Sequence, residues 1–243
     1  MLVRILLITG WGGGCQLLQP LQQSLSQQGY QVGLINIFNG LDPQVLAQHV
    51  EMAYQYDVIV GWSLGGQLAT LLVNQIAQQY QQYKILITLA SNPCFVAHTG
   101  WLNAMTARTF THFTHSFQQD AVSTLKKFGY MVCQGVETSR QDFIKLQSLI
   151  QPQNIELLKQ GLTCLEKLNN VDILNNYAGY QYHLFAKQDF LVSYKVSQNF
   201  SNLTAKFLEF ELISGSHGFP IFAAQEISHK IYQYLKKISE TEA

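Results

Sequence analysis

The stretch Asp57-Val58-Ile59-Val60-Gly61-Trp62-Ser63-Leu64-Gly65-Gly66-Gln67-Leu68 decides the fold. Asp57 to Trp62 is a nearly unbroken apolar run, as in a strand buried on both faces, and from Leu68 to Gln79 apolar residues recur at helical spacing. Between them lies Gly61-x-Ser63-x-Gly65. A serine at such a strand-to-helix turn sits on strained backbone, with flanking glycines letting strand and helix approach closely, so its hydroxyl projects above the sheet. The same turn puts the Leu64 amide at a helix N-terminus, ready to stabilise an oxyanion.

Working outward, the spacing predicts further strands at Leu2 to Thr9, Val32 to Phe38 and Lys84 to Ala90, and a helix from Leu17 to Gln28 stopped by Gly29. Continuous apolar strands interleaved with helices signal a mostly parallel sheet covered on both faces, an α/β fold. After Ser91 the rhythm changes. From Asn92 to about Val171 apolar residues recur at helical spacing, as in Phe110, Phe113 and Phe117, then Leu125, Phe128 and Val132. Strand character returns at Tyr182 to Ala186 and Phe207 to Ile213, before a last amphipathic helix from Ala223 to Ile238. The expected organisation is therefore a core in two parts, residues 1–91 and 172–243, with residues 92–171 as an inserted helical lid. No low-complexity linker joins them, so the lid is expected to pack on the core instead of swinging on a tether.

A serine hydroxyl is a poor nucleophile at neutral pH; it needs a base, and the base needs an acid to fix its tautomer. In this fold class the chain order is serine, acid, histidine. Of six aspartates, Asp189 alone follows a strand between Ser63 and the last apolar strand, and Asp172 is the backup. His217 lies in the small-residue loop Ser214-Gly215-Ser216-His217-Gly218, just past that last strand. Of the other histidines weighed, His98, His112 and His115 fall in the inserted helices, His183 on a strand and His229 on the final helix. The second oxyanion amide is expected from Gly10-Trp11-Gly12, at Trp11. The same glycines, continuing to Gly14, suggest a dinucleotide site, but the sixth position of that motif is Cys15 and the next strand ends at Asn36 and Asn39, with no acidic ribose ligand; no cofactor is expected.

The 243 residues carry 15 Lys+Arg and 15 Asp+Glu, so no global basic field draws nucleic acid. Charged residues are only 12%, and 29 glutamines fill the polar surface instead. No apolar run is long enough to span a membrane, and 12% aromatics argues against disorder. Four cysteines, Cys15, Cys94, Cys133 and Cys164, form no CxxC pair, which fits buried reduced thiols in cytoplasm, and the histidines lack zinc-site spacing, so no metal is expected.

Several segments together resemble one family, the α/β-hydrolase esterases that hydrolyse pimeloyl-acyl carrier protein methyl ester in biotin synthesis. They are Gly10-Trp11-Gly12, Gly61-Trp62-Ser63-Leu64-Gly65-Gly66, Ala90-Ser91-Asn92-Pro93-Cys94-Phe95, Gly135 to Asp142, Gly161-Leu162 through Leu165, Asp189-Phe190-Leu191-Val192, and Ser216-His217. The resemblance implies Ser63, Asp189 and His217 as a triad with Trp11 and Leu64 as oxyanion amides, in agreement with the residue-by-residue reading. It further implies that Trp62 and Phe128 line an acyl channel. Acyl carrier protein is the implied partner, met by basic residues of the lid; here Arg140 matches, Lys127 replaces another arginine, and Lys126 and Lys145 stand adjacent to two lost positions. Thr9 occupies the place of the usual histidine before the oxyanion glycine, and the loop after the second strand is reduced to Asn36-Ile37-Phe38-Asn39-Gly40. Neither nucleic acid nor membrane is an expected partner, and the chain is expected to act as a monomer. The competing readings are a broad carboxylesterase of short-chain esters with no carrier partner and a catalytically dead scaffold that binds a ligand.

Overall fold

The computed structural model describes residues 2–241, so the outermost ends of the two expected core segments, residues 1 and 242–243, lie outside the described residues. Six strands form one sheet: β1 (Arg4–Ile8), β2 (Gln31–Ile35), β3 (Val58–Trp62), β4 (Ile85–Leu89), β5 (Gln181–Ala186) and β6 (Leu208–Ile213). Their order is β2-β1-β3-β4-β5-β6, and every pairing is parallel. The side chains of β1, β3 and β4 point alternately into two separate apolar clusters: Leu6, Ile8, Ile59 and Leu86 on one face, Ile5, Leu7, Val58, Val60 and Ile87 on the other. Burial on both faces is why these strands read as unbroken apolar runs.

The first cluster is covered by α2 (Pro43–Tyr54) and α3 (Leu64–Tyr80), the second by α1 (Gln19–Gln27) and α11 (Ala224–Thr241). Two short helices, α9 (Val196–Phe200) and α10 (Phe219–Phe222), sit in the connections around β6. The expected helix at Leu17 begins instead as a 3-10 turn over Cys15–Leu18, and α1 follows from Gln19 with Pro20 in its first turn, where a missing N–H costs no helical hydrogen bond. The second strand is shorter than its apolar run. Asn36 Oδ1 accepts the amide of Ile37 at 2.9 Å and the hydroxyl of Thr9 at 3.0 Å, which takes the chain out of the ladder.

Between β4 and β5 run α4 (Ala107–Gln119), α5 (Ala121–Cys133), α6 (Ser139–Leu149), α7 (Ile155–Lys167) and α8 (Val171–Asn176). Entry and exit of this segment are pinned together, since Cys94 bridges Asn169 and the Asn170 amide donates to Pro93 O at 3.0 Å. A buried amide cluster reinforces the junction: Gln67 on α3 donates to Asn92 O, Asn170 donates to Gln67 O, and the Trp101 indole donates to Asn92 Oδ1. Buried hydrogen bonds of this kind fix one packing, although Gln67 Oε1 has no partner among the described residues. Cys94, Cys133 and Cys164 are buried and Cys15 is only half-buried; all four are free thiols, and burial raises each pKa, that of Cys133 to about 12.

Candidate active site

Ser63 stands at the junction of β3 and α3 with φ 55° and ψ −122°, in the left-handed region that side-chain-bearing residues rarely adopt. Glycines make the turn feasible. A Cβ on Gly61 would collide with the backbone of Gly65, and one on Gly65 with the carbonyls of Ile8 and Thr9. Serine before a helix usually caps it through its hydroxyl, but Ser63 makes no capping bond, so Oγ is left for other use. Leu64 is the first residue of α3, where an amide has no acceptor within the helix.

The acid and the histidine come from the loops after β5 and β6. Asp189 Oδ1 accepts the amides of Leu191 and Val192, each at 2.8 Å, which orients the carboxylate. Its Oδ2 lies 2.8 Å from His217 Nδ1, with both side chains closed to solvent. The two loops brace each other: Gly215 N donates to Gln188 Oε1 at 2.8 Å and Gln188 N to Gly215 O at 3.1 Å. The loop also docks on neighbours, since Gly218 N donates to Val132 O of α5 at 2.9 Å and the Trp62 indole to His217 O at 3.0 Å. Trp62, next to the serine, thus packs against the imidazole, the ring centroids being 5.6 Å apart. On the far side of that ring Nε2 is buried and, among the described residues, has no hydrogen-bond partner. A buried acceptor or donor without a partner is costly and is retained at functional sites.

Gly10 abuts Trp62 and Ser63 directly, so the loop that carries Trp11 lies beside the serine. The Trp11 indole donates to Leu158 O of α7 at 2.8 Å and meets Phe113, Phe117 and Phe128 edge-on, with centroids 5.6, 5.4 and 4.9 Å away. Gly161 of α7 lets the inserted helix lie on Trp11 and Leu64, the two expected oxyanion residues.

Trp62 and Phe128 both line a narrow apolar cleft with Trp11, Gly12, Leu125 and Val132. Through Gly12, Leu125, Gly129 and Ile150 it continues into a cavity of about 280 Å³ rimmed by Lys126, Gln147 and Gln153. Of the other aromatics, Phe110 and Phe117 are buried packing, Trp101 is bound to Asn92, and Tyr130 is exposed against Phe143. Lys126, Lys127, Arg140 and Lys145 are all exposed. They do not share one concavity: Lys126 is at the cleft rim, whereas Lys145 lines a separate groove with Gln23, Ser24 and Glu226.

The remaining candidates stand apart. Asp172 lies in the first turn of α8, in a polar groove with Asn74 and Tyr83. His183 is buried in β5 with Nδ1 against the Thr88 hydroxyl at 2.7 Å. Among the described residues no group of three or more His, Cys, Asp or Glu side chains could hold a metal ion, and no helix is long and apolar enough to cross a membrane. Gln188, Asn36, Gln151 and Gln153 were not foreseen as residues of this region. Amides carry no hydropathy or motif signal, and their partners are far off in the chain.

A six-stranded parallel sheet, covered by helices on both faces and carrying a strained serine elbow after β3, is the α/β-hydrolase fold. Solved structures agree: an esterase from Exiguobacterium antarcticum superposes with TM-score 0.78 at 17% identity over 96% of this chain and 92% of its own. A bromoperoxidase from Bacillus anthracis does so with TM-score 0.80 at 15% identity over 97% and 92%. No protein-family model matches the chain. Its sequence is 27% identical over 252 residues to the pimeloyl-[acyl-carrier protein] methyl ester esterase of Aliivibrio salmonicida, covering 97% of this chain and 93% of that relative. The resemblance read from the sequence is thereby borne out along nearly the whole chain.

Proposed function

We propose that the protein is a serine carboxylesterase that hydrolyses the methyl ester of pimeloyl-acyl carrier protein and releases methanol, in biotin synthesis. The observation that carries the reading is the buried Asp189–His217 pair, with Nδ1 engaged at 2.8 Å and the His217 loop tied to Trp62 next to the Ser63 elbow. Among the described residues Nε2 is buried without a partner, so the hydrogen bond from Ser63 Oγ is not made in this structure and has to form with substrate. A carboxylate on Nδ1 keeps the proton there and leaves Nε2 as the base. In the first step Nε2 takes the proton of Ser63 Oγ as oxygen attacks the ester carbonyl. The Trp11 and Leu64 amides receive the oxyanion. Methanol leaves with the proton from Nε2, and a water, deprotonated by the same nitrogen, then hydrolyses the acyl-enzyme.

The apolar lining of Trp62 and Phe128 suits an uncharged acyl chain, each buried methylene contributing about 0.8 kcal/mol, but the cleft between them holds only about 10 Å³ and would have to widen to admit one. The carboxylate product loses water there without gaining a partner, which favours its release. Lys126 at the rim, with Lys127 next to it on α5 and Arg140 exposed on α6, supplies positive charge toward an acidic carrier. Four free cysteines fit a reducing compartment such as the cytoplasm.

One observation favours the alternative of a broad short-chain esterase with no carrier partner: Lys126 and Lys145 line different concavities, so these two do not meet in one docking groove. Ser63→Ala removes the nucleophile without removing a helix cap. It is expected to abolish turnover of a short chromogenic ester and labelling by a fluorophosphonate, with the thermal midpoint unchanged. Turnover retained in that variant would reject the reading.

A further inference from the structure

The loop between α6 and α7 is tied to the Gly10–Gly14 loop by a chain of amides that neither the elbow nor the triad requires. Gln153 is its hub: Oε1 accepts from Asn36 Nδ2 at 2.6 Å, and Nε2 donates to Gln151 O at 2.9 Å and to Pro152 O at 3.2 Å. Asn36 passes the link to the core, since its Oδ1 accepts the buried Thr9 hydroxyl at 3.0 Å, and Thr9 immediately precedes Gly10 and Trp11. Gln151 closes the other side. Its amide donates to Gly13 O at 3.0 Å, and its Oε1 accepts the amide of Gln16 at 3.4 Å. The loop from Thr9 to Gln16 is therefore held at both ends by residues 151 and 153, with Trp11 between the anchors.

The same segment leads straight into α7, capped by Asn154, whose Leu158 carbonyl takes the Trp11 indole at 2.8 Å. Gln151 and Gln153 also wall the cavity of about 280 Å³ next to Gly12. Gly14, at φ 80°, leaves room for both glutamine side chains, which a Cβ there would strike.

We propose that Gln153, acting through Asn36 on Thr9 and through Gln151 on Gly13, is a positioning residue that fixes the Trp11 amide for the oxyanion. This rests on the reading of Ser63 as nucleophile and Trp11 as oxyanion donor. An oxyanion donor works only when preorganised at hydrogen-bond distance from the developing charge, and losing one outright lowers turnover about 10²–10³-fold. Loosening its loop leaves the donor present but mobile, so a smaller loss follows, in kcat and not in ground-state binding.

The test uses the full chain and a short chromogenic ester. Gln153→Leu and Thr9→Val, which removes one hydroxyl from an otherwise similar shape, are each expected to lower kcat about tenfold, with KM within about twofold and a thermal midpoint lowered only by the few degrees that one lost hydrogen bond costs. Thr9→Ser, which keeps the hydroxyl, is expected to retain kcat. The double variant Gln153→Leu/Thr9→Val is expected to lose no more than the worse single one, because both cuts sever the same chain. Ser63→Ala measured alongside separates two failures. If it is inactive while Gln153→Leu keeps full kcat, or loses kcat only in proportion to unfolding, the clamp is overturned and the esterase reading stands. If Ser63→Ala retains turnover, the nucleophile assignment falls and takes the clamp with it.

Discussion

His217 Nδ1 and Asp189 Oδ2 lie 2.8 Å apart with both side chains closed to solvent, while the other carboxylate oxygen, Oδ1, is taken by the amides of Leu191 and Val192. This division of the two oxygens gives a sharp expectation for Asp189→Asn. The two backbone donors hold the amide oxygen where Oδ1 was, so the NH2 group faces Nδ1 and forces it to accept. The proton then resides on Nε2, which can no longer take one from Ser63. We expect kcat to fall by about 10⁴ with little change in KM, since a triad with the wrong tautomer keeps its binding surfaces. Steady-state kinetics with a short ester, alongside a thermal melt, checks this; a fall under tenfold would show that the carboxylate does not set the tautomer.

Gly61→Ala is expected to be severe, unlike Ser63→Ala two residues on. The added methyl would overlap the Gly65 backbone, which cannot yield without moving α3 off the sheet. A loss of at least about 3 kcal/mol follows, seen as a large drop in thermal midpoint or as insoluble protein. A variant that melts like the parent would mean the elbow has slack that the packing denies.

Much of this was legible because the signals were local. The strands of the centre read as unbroken apolar runs, and Gly61, Ser63 and Gly65 mark a turn whose geometry leaves few alternatives. The pairing of Asp189 with His217 was readable from which acid and which histidine trail a strand, whereas their joining to Ser63 is part of the proposed function. Helix α2 was missed, although Asp42 accepts the amides of Gln44 and Val45 as its cap and Pro43 opens its first turn. That signature is readable, but α2 buries only Val50 and Ala53 fully, so its apolar stripe is faint. The glutamine clamp was not legible at all. Its side chains come from positions 36 and 153, 117 residues apart, and nothing in either neighbourhood specifies the other.

A carrier partner predicts that charge reversal away from the cleft acts on one substrate only. Lys127 and Arg140 are exposed and line neither the narrow cleft nor the cavity it opens into. The double variant Lys127→Glu/Arg140→Glu is expected to lower kcat/KM for a carrier-linked methyl ester about tenfold or more at low salt, and to leave a short free ester within about twofold. The difference should shrink as ionic strength rises, because exposed charges are screened. Equal turnover of both esters by parent and variant would favour the broad short-chain esterase.

His183 makes stability depend on pH well away from the catalytic loops. It sits fully buried in β5, its Nδ1 against Thr88 Oγ1 at 2.7 Å and its Nε2 without a partner among the described residues, and burial lowers its pKa from 6.5 to about 3. Between those values the unfolded chain binds a proton that the folded chain refuses. Stability therefore rises with pH across that window and is lost as pH falls below about 6.5, at up to about 1.4 kcal/mol per pH unit for this one group. Replacing the imidazole by the non-titrating amide in His183→Gln is expected to lower stability at pH 7 but to flatten its slope between about pH 6 and pH 4. Urea unfolding at a series of pH values measures both slopes, and parallel curves for parent and variant would show that the acid sensitivity lies with other groups.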